Sequence, residues 1–246
     1  MQRNNLDIYD AWAAEWWQEE AKVYALNYLN PPRFAYFDRY ISNWKGLKVL
    51  DVGCGGCFTC EFLAQRGAIV TGVDQSAACI AAARSHAATS HLPISYQIAP
   101  AEALPIAAHT LDAVVCVDVL EHVADLTQTL KEIHRVLKPG GVFCFDTINR
   151  TFKAKLVMIW LLETVLNEIP RGLHDWHNFI PPDELVAALR SLNFYAIEIQ
   201  GFDLFGSTIL DYCINYFHYR KTKRFKIALN QNTSVLYIGK AVKAVE

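Results

Sequence analysis

A short apolar strand running into a glycine turn constrains this chain more than any other feature of it. Lys48-Val49-Leu50-Asp51-Val52 has the nearly continuous apolar character of a strand buried on both faces. The chain then turns through Gly53, Gly55 and Gly56, and helical periodicity begins near Phe58. A glycine turn between strand and helix lets the backbone approach a ligand closely and aim its N–H groups at it. A nicotinamide or flavin site would require a small residue at the sixth position of this fingerprint, where helix and strand pack together. That position is Phe58. Asp51 stands two residues before the first glycine, and a carboxylate aimed into a pocket suits a cation better than a pyrophosphate.

The next strand, Ala68 to Val73, is rich in β-branched residues and ends in Asp74, followed by Gln75. An acidic strand end about 20 residues beyond the glycine turn is placed to grip a ribose. The requirements are then an adenosine, no diphosphate and a cationic group near Asp51. S-adenosyl-L-methionine, which joins adenosine to an amino acid through a sulfonium, meets them all. Its contacts are expected from Asp51, Gly53, Cys54, Gly55, Asp74 and Gln75.

Three further strands follow, at Ile94 to Ala99, Leu111 to Val117 and from Val142 to Phe145. Helices fall between them, one capped by Ser76 and one running from Asp125 to Leu137 with apolar residues at helical spacing. Alternating strands and helices predict an α/β fold: a doubly wound, mostly parallel, seven-stranded Rossmann-like sheet. No linker composition or repeat divides the chain, so one domain is expected, with an N-terminal helical part over 1–45. The core spans 46–148, an insertion 149–180, and the rest of the sheet 181–246. Ligands of such folds lie beyond the carboxyl ends of the strands. Gly53, Asp74, Ala101, Glu102, Val117 and Asp118 all fall there, which adds Ala101, Glu102 and Val117 to the expected cofactor contacts.

A net charge of −2 gives no electrostatic case for nucleic acid. The first residues lead into no apolar signal region, and the apolar run from Leu156 to Leu162 is too short to span a bilayer. Seven cysteines, odd in number and mostly in apolar strands, point to reduced thiols and a cytoplasmic setting. Cys54, Cys57 and Cys60 form C-x-x-C-x-x-C, but no second close pair completes the four ligands of a structural zinc, so they read as packing. Residues 6–29 predict a helix with Tyr9, Trp12, Trp16, Trp17, Tyr24 and Tyr28, either an aromatic packing stripe or a lid over the pocket. Phe152 to Ile169 predicts a helix with one strongly apolar face. With the basic residues Arg220, Lys221, Lys223, Arg224 and Lys226, it suggests reversible, peripheral binding to an anionic membrane. The bland alternative is a helix packed on its own domain.

Val49 to Gly56, Asp74, and Leu137-Lys138-Pro139-Gly140-Gly141 resemble the class I S-adenosylmethionine-dependent methyltransferases. A narrower resemblance runs from about residue 9 to residue 185. It is carried by Trp16-Trp17, Asn30-Pro31-Pro32-Arg33, Leu120-Glu121-His122-Val123, Thr147-Ile148-Asn149-Arg150, and Gly172-Leu173-His174-Asp175 with Phe179-Ile180. These segments, in this order, resemble the ubiquinone-biosynthesis O-methyltransferases. The resemblance implies methylation of a phenolic hydroxyl on a polyprenylated ring, with cofactor contacts from Arg33, Gly53, Asp74 and Val117. Cys57 departs from the family's usual glycine, Val117 from a frequent Met, and Leu173 from a Thr. The region after Ser191 matches little of the family pattern.

A phenol with a pKa near 10 must lose its proton before it is methylated, so a base or a metal should stand beside the hydroxyl. Asp118, Glu121 and His122 would share a face if they lay on a helical turn, forming a hard-cation site. In the family's eukaryotic members the matching Glu, Glu and His are associated with a divalent metal such as magnesium, and here the first is Asp. The alternative is helix-start carboxylates and a packed histidine. Glu121, His122, His174 and His177 are the candidate bases. Two other functions fit the same residues: a methyltransferase for another aromatic or lipid-like acceptor, and a non-catalytic adenosyl-ligand binder serving as a scaffold.

Overall fold

The computed structural model describes residues 4–204, 206, 208–222 and 224–245. Eight strands form one sheet: β1 (Lys48–Val52), β2 (Ile69–Asp74), β3 (Ser95–Ile98), β4 (Leu111–Cys116), β5 (Leu137–Ile148), β6 (Phe194–Asp203), β7 (Ala228–Asn230) and β8 (Leu236–Lys243). Their order is β3-β2-β1-β4-β5-β8-β6-β7. Strands β1 to β5 pair in parallel, whereas β8 lies antiparallel to both β5 and β6. The predicted sheet is present, with the short β7 as an eighth strand on the edge. Strand order reverses between β1 and β4, so the ligand crevice opens above that seam.

The period-two alternation of side chains divides the core into two layers. Val49, Ala113 and Val115 face one cluster, while Leu50, Val52, Val114 and Cys116 face the other. Leu130, Ile133 and Val136 fill the second layer from helix Leu126–Val136, whose first turn is capped by Asp125 accepting from Gln128 N at 2.9 Å. Ser76 caps helix Ala77–Thr89 in the same way, accepting from Cys79 N at 2.9 Å. After helix Leu126–Val136 the chain passes straight into β5 at Leu137, ahead of the strand start expected at Val142.

Two helical expectations need correction. Residues 6–29 are not one helix but a helix at Asp7–Trp12 followed by 3₁₀ turns at Ala13–Glu15 and Lys22–Leu29. The aromatic residues bend the chain around the glycine turn instead of lining one straight face. A Cβ on Gly56 would sit 2.2 Å from the Trp16 ring, and Trp17 Nε1 donates to Gly56 O at 2.9 Å. Phe152 to Ile169 forms a single turn, Phe152–Ala154, and then a π-helix at Lys155–Val165. Its Val157, Met158, Ile159 and Leu162 are buried, and Leu156, Trp160 and Val165 are exposed. Among the described residues no helix is long and apolar enough to cross a membrane.

Candidate functional site: two cavities joined at His122

A cavity of about 600 Å³ lies above the β1–β4 seam. Arg33, Asp51, Gly53, Cys54, Gly55, Asp74, Gln75, Ala101, Glu102 and Val117, every residue expected at the cofactor, line it. Their roles differ from the expectation in detail. The N–H groups of Gly53 and Cys54 are not free, since both donate to Val73 O, at 2.8 and 3.1 Å. Gly55 N donates to Asp74 Oδ2 and Ser76 N to Asp74 Oδ1, each at 2.8 Å. The turn is therefore not a phosphate cradle. It positions a carboxylate whose remaining lone pairs face the cavity, as a ribose diol requires. Burial raises the Asp74 pKa, and the N–H groups of Ser76 and Gly55 oppose that rise.

Glu102 faces the cavity but spends its carboxylate on the chain, accepting from Ala124 N at 2.8 Å and Asp125 N at 3.2 Å. Arg33 is 2% exposed and forms ion pairs with Asp118 and Asp146. Burial works against its charge, but those two carboxylates more than offset the cost and raise its pKa. Asp51 is equally buried, accepts from the Cys60 thiol at 3.2 Å, and has its pKa raised by burial. A buried carboxyl on the cavity wall favours a ligand that brings positive charge.

A second cavity, of about 130 Å³, adjoins the first, and the two share Tyr9, Leu26, Asp118 and His122. Its other walls are largely apolar, including Val23, Leu29, Ile148, Met158, Leu162, Ile169, Leu173 and Leu236. Glu121 and His174 line it too. Glu121 is 2% exposed and accepts from Thr147 Oγ1 at 2.7 Å. Burial, reinforced by the negative charge of Asp118, pushes its pKa up to about 8. Burial and the neighbouring His174 lower His122 to about 3. The two imidazoles stack with centroids 5.3 Å apart, and His174 Nδ1 meets Glu163 Oε1 at 2.9 Å.

Asp118, Glu121 and His122 do not form the expected metal face. Residues 117–124 are turns, not a helix, and Asp118 has φ 56°. Its carboxylate is committed to Arg33, and His122 Nδ1 to Asn4. The only group of three or more His, Cys, Asp or Glu side chains among the described residues with ligand atoms converging within 4.8 Å is Cys54, Cys57 and Cys60. The three residues as they stand do not fit a cation. His177 also falls outside the site: it is exposed and lines neither cavity, lying in a 3₁₀ turn whose N-cap, Asp175, accepts from His177 N at 2.9 Å.

Asn4 was not legible as a site residue. Its Nδ2 donates to His122 O at 3.1 Å while its Oδ1 meets His122 Nδ1 at 2.9 Å, across 118 positions of sequence. With the amide so oriented, Nδ1 carries the proton, and Nε2 keeps its lone pair for the cavities. No local pattern marks an Asn at position 4 for this task. Asn4→Ala should lower turnover about 2- to 10-fold, the loss of one buried hydrogen bond, with little change in cofactor affinity. Steady-state kinetics beside calorimetry would check this; an unchanged rate would remove Asn4 from the site.

A methyltransferase-domain family model matches residues 50–145. A ubiquinone biosynthesis O-methyltransferase of Coxiella burnetii is 42% identical over 189 residues, covering 77% of this chain and 80% of the relative. One of Ruegeria pomeroyi is 40% identical over 205 residues, covering 79% and 83%. Among solved structures, a putative methyltransferase from Haloferax volcanii, in complex with the Trm112 activator, matches with TM-score 0.66 at 19% identity, over 98% of this chain and 97% of that one. An S-adenosylmethionine-dependent methyltransferase from Thermotoga maritima matches with TM-score 0.63 at 16% identity, over 96% and 98%. These two show the shared fold. Sequence identity at the level of the first two, over a cavity whose carboxylates suit an adenosyl sulfonium, places this chain in the ubiquinone biosynthesis O-methyltransferase family, as an S-adenosylmethionine-dependent methyltransferase.

Proposed function

We propose that the chain transfers a methyl group to a phenolic hydroxyl of a polyprenylated ring, the acceptor class expected in ubiquinone biosynthesis. The observation that carries this is the junction of two unlike cavities at His122, one holding Asp74, the other largely apolar with the buried carboxyl of Glu121 and two imidazoles on its wall. Bound S-adenosylmethionine supplies an electrophilic methyl. The protein's work is to align acceptor and methyl and to take up the phenolic proton.

Magnitudes choose the base. Moving a proton from a phenol of pKa about 10 to a group at about 8 is uphill by about 3 kcal/mol, and to one at about 3 by about 10 kcal/mol. Glu121 is therefore the base, and His122, neutral and held by Asn4, accepts or relays a hydrogen bond at the hydroxyl. His174 and Glu163 support His122 from behind.

Asp118 and His122 are committed to Arg33 and Asn4, so turnover should survive EDTA; turnover lost in EDTA and restored by magnesium, with cofactor binding intact, would overturn Glu121 as the base. The main test is incubation with labelled methyl donor and a panel of prenylated and unprenylated phenols, read by mass spectrometry. Methylation of prenylated phenols is the expected result. Exclusive methylation of small unprenylated acceptors, or of nitrogen, would overturn the acceptor class.

The apolar cavity also suggests how a lipid-like acceptor arrives. Met158, Leu162 and Ile169 line it from the π-helical side, and Asn215, Tyr216 and Tyr219 from helix Ile209–Thr222. Arg220 pairs with Glu168 at 2.8 Å, and Lys153 Nζ lies 5.7 Å from the Tyr212 ring centroid, so the two segments are neighbours. Seven of the eleven large apolar side chains exposed among the described residues lie on them, including Phe152, Trp160, Leu210 and Phe217. Arg220, Lys221, Arg224 and Lys226 are exposed close by, and Lys223 lies outside the described residues. We propose that this face rests on an anionic membrane surface, each basic residue contributing about 1 kcal/mol. Flotation with anionic vesicles, weakened by salt and by Trp160→Glu, is expected. No flotation with any lipid composition would end the proposal.

A further inference from the structure

Three thiols converge on one point, and one of them, Cys54, also lines the cofactor cavity. Cys54 belongs to the glycine turn, Cys57 precedes helix Phe58–Ala64, and Cys60 lies within its first turn. Their Sγ atoms lie within 4.8 Å of one another, and all three residues are buried. The C-x-x-C-x-x-C spacing marks these residues but not their convergence, because the helix begins only at Phe58. The chain reverses at Cys57, which has φ 85°, and that reversal brings Cys54 back over Cys60. A residue with a side chain in this left-handed region costs about 1–2 kcal/mol that glycine would avoid. The thiol at position 57 is thus kept against backbone strain.

The surroundings are shaped for the sulfurs. A Cβ on Gly72 of β2 would lie 2.8 Å from Cys60 Sγ and 2.9 Å from Cys54 Sγ, so only glycine leaves them room. The hydroxyl of Tyr96, on β3, is buried beside Cys57 and has no hydrogen-bond partner of sound geometry among the described residues. An unpartnered buried O–H donor costs stability unless something nearby accepts from it, and a thiolate sulfur is such an acceptor.

Charge and coordination number decide the class of ion. Zinc in a structural site takes four donors, and among the described residues no fourth His, Cys, Asp or Glu side chain joins these three. The carboxylate of Asp51 accepts a hydrogen bond from Cys60, at 3.2 Å. Thiolates select soft ions, and copper(I) is satisfied by three of them in a trigonal arrangement. With metal–sulfur bonds of about 2.3 Å, three coplanar sulfurs stand about 4 Å apart, so the observed cluster needs to contract by less than about 1 Å.

We propose that Cys54, Cys57 and Cys60 form a buried trigonal site for a soft, thiophilic cation of the copper(I) type. Each metal–sulfur bond replaces an S–H bond, and the displaced protons pass to solvent. The ion enters already reduced, so no electron is transferred. The site is separate from the acceptor machinery, and its test does not depend on methyl transfer.

The test is an anaerobic titration of the reduced full chain with copper(I) buffered by bathocuproine disulfonate, read by chelator absorbance and by the metal-to-protein ratio after desalting. One ion per chain, held against the chelator, is expected. Cys57→Gly suits the local backbone and should keep the fold, as circular dichroism and cofactor calorimetry would verify; its copper(I) affinity should fall at least 10-fold. Cys60→Ala should do the same by a different route. Cys213→Ala, which removes the exposed thiol, should bind like the parent. Equal binding by the parent and both cluster variants would overturn the site, as would loss of binding in Cys213→Ala. Zinc bound in preference to copper(I) would overturn the trigonal assignment.

Discussion

Replacing Glu121 with glutamine is expected to slow methyl transfer by about 100- to 10,000-fold, the usual contribution of a positioned general base. The substitution keeps the shape and the acceptor oxygen that receives Thr147 Oγ1, so cofactor affinity should hold within about twofold, the scale of a small change in one hydrogen bond. The pH dependence gives a sharper test than the rate alone. Glu121 works as a base only when ionised, and its pKa stands at about 8, so turnover should rise with pH through that value. His122, lowered to about 3, is neutral throughout this range and adds no limb of its own. In Glu121→Gln the rise near pH 8 should vanish. Stability follows the opposite course. The folded pKa of Glu121 lies above its unfolded value, so its stabilising contribution is complete below about 4.5 and is lost as pH rises through about 8. Thermal melts of the parent should fall over that window, and the variant's should fall less. A pH–rate profile unchanged by the substitution would move the base elsewhere.

Asp74→Ala should weaken binding of both S-adenosylmethionine and its demethylated product by about 10- to 150-fold, the loss of hydrogen bonds to a charged partner worth about 1.5–3 kcal/mol. The effect has two sources in the structure: the ribose loses its acceptor, and the N–H groups of Gly55 and Ser76 lose theirs. Asp74→Asn separates them, because it preserves an acceptor for one N–H group while removing the charge, and it should fall between the parent and the alanine variant. Calorimetry showing parent-like affinity in Asp74→Ala would remove the ribose assignment.

The cofactor half of this molecule was legible in its sequence because it is built locally. A strand, a turn and a helix follow one another, and Asp74 lies at a fixed distance along the chain, so periodicity and spacing carry nearly all the information. All ten expected cofactor residues line the larger cavity. The partners of those residues were not legible, because they come from far away in sequence. Arg33 meets Asp146 across 113 positions, and Asn4 meets His122 across 118. Helical spacing misled at Asp118, Glu121 and His122, since the left-handed Asp118 sends the chain through turns and hands its carboxylate to Arg33. The C-x-x-C-x-x-C spacing was legible and read as packing for want of a fourth zinc ligand, whereas the reversal at Cys57 was not legible. At the N-terminus, aromatic residues read as one helix because Trp16 and Trp17 have helical spacing from Tyr9 and Trp12. Their true partners are Gly55, Gly56 and His86, and reaching them bends the chain.

We propose that methyl donor and phenol meet across the wall that the two cavities share, and a crystal structure with S-adenosylhomocysteine and an unmethylated prenylated phenol would show whether they do. Adenosine is expected on Asp74, the ring in the apolar cavity, and the phenolic oxygen within hydrogen-bond reach of Glu121, with the attacking oxygen about 3–3.5 Å from where the methyl would stand. The prenyl tail should leave between the π-helical segment and helix Ile209–Thr222. A ring bound outside that cavity, with its hydroxyl remote from both Glu121 and His122, would contradict it.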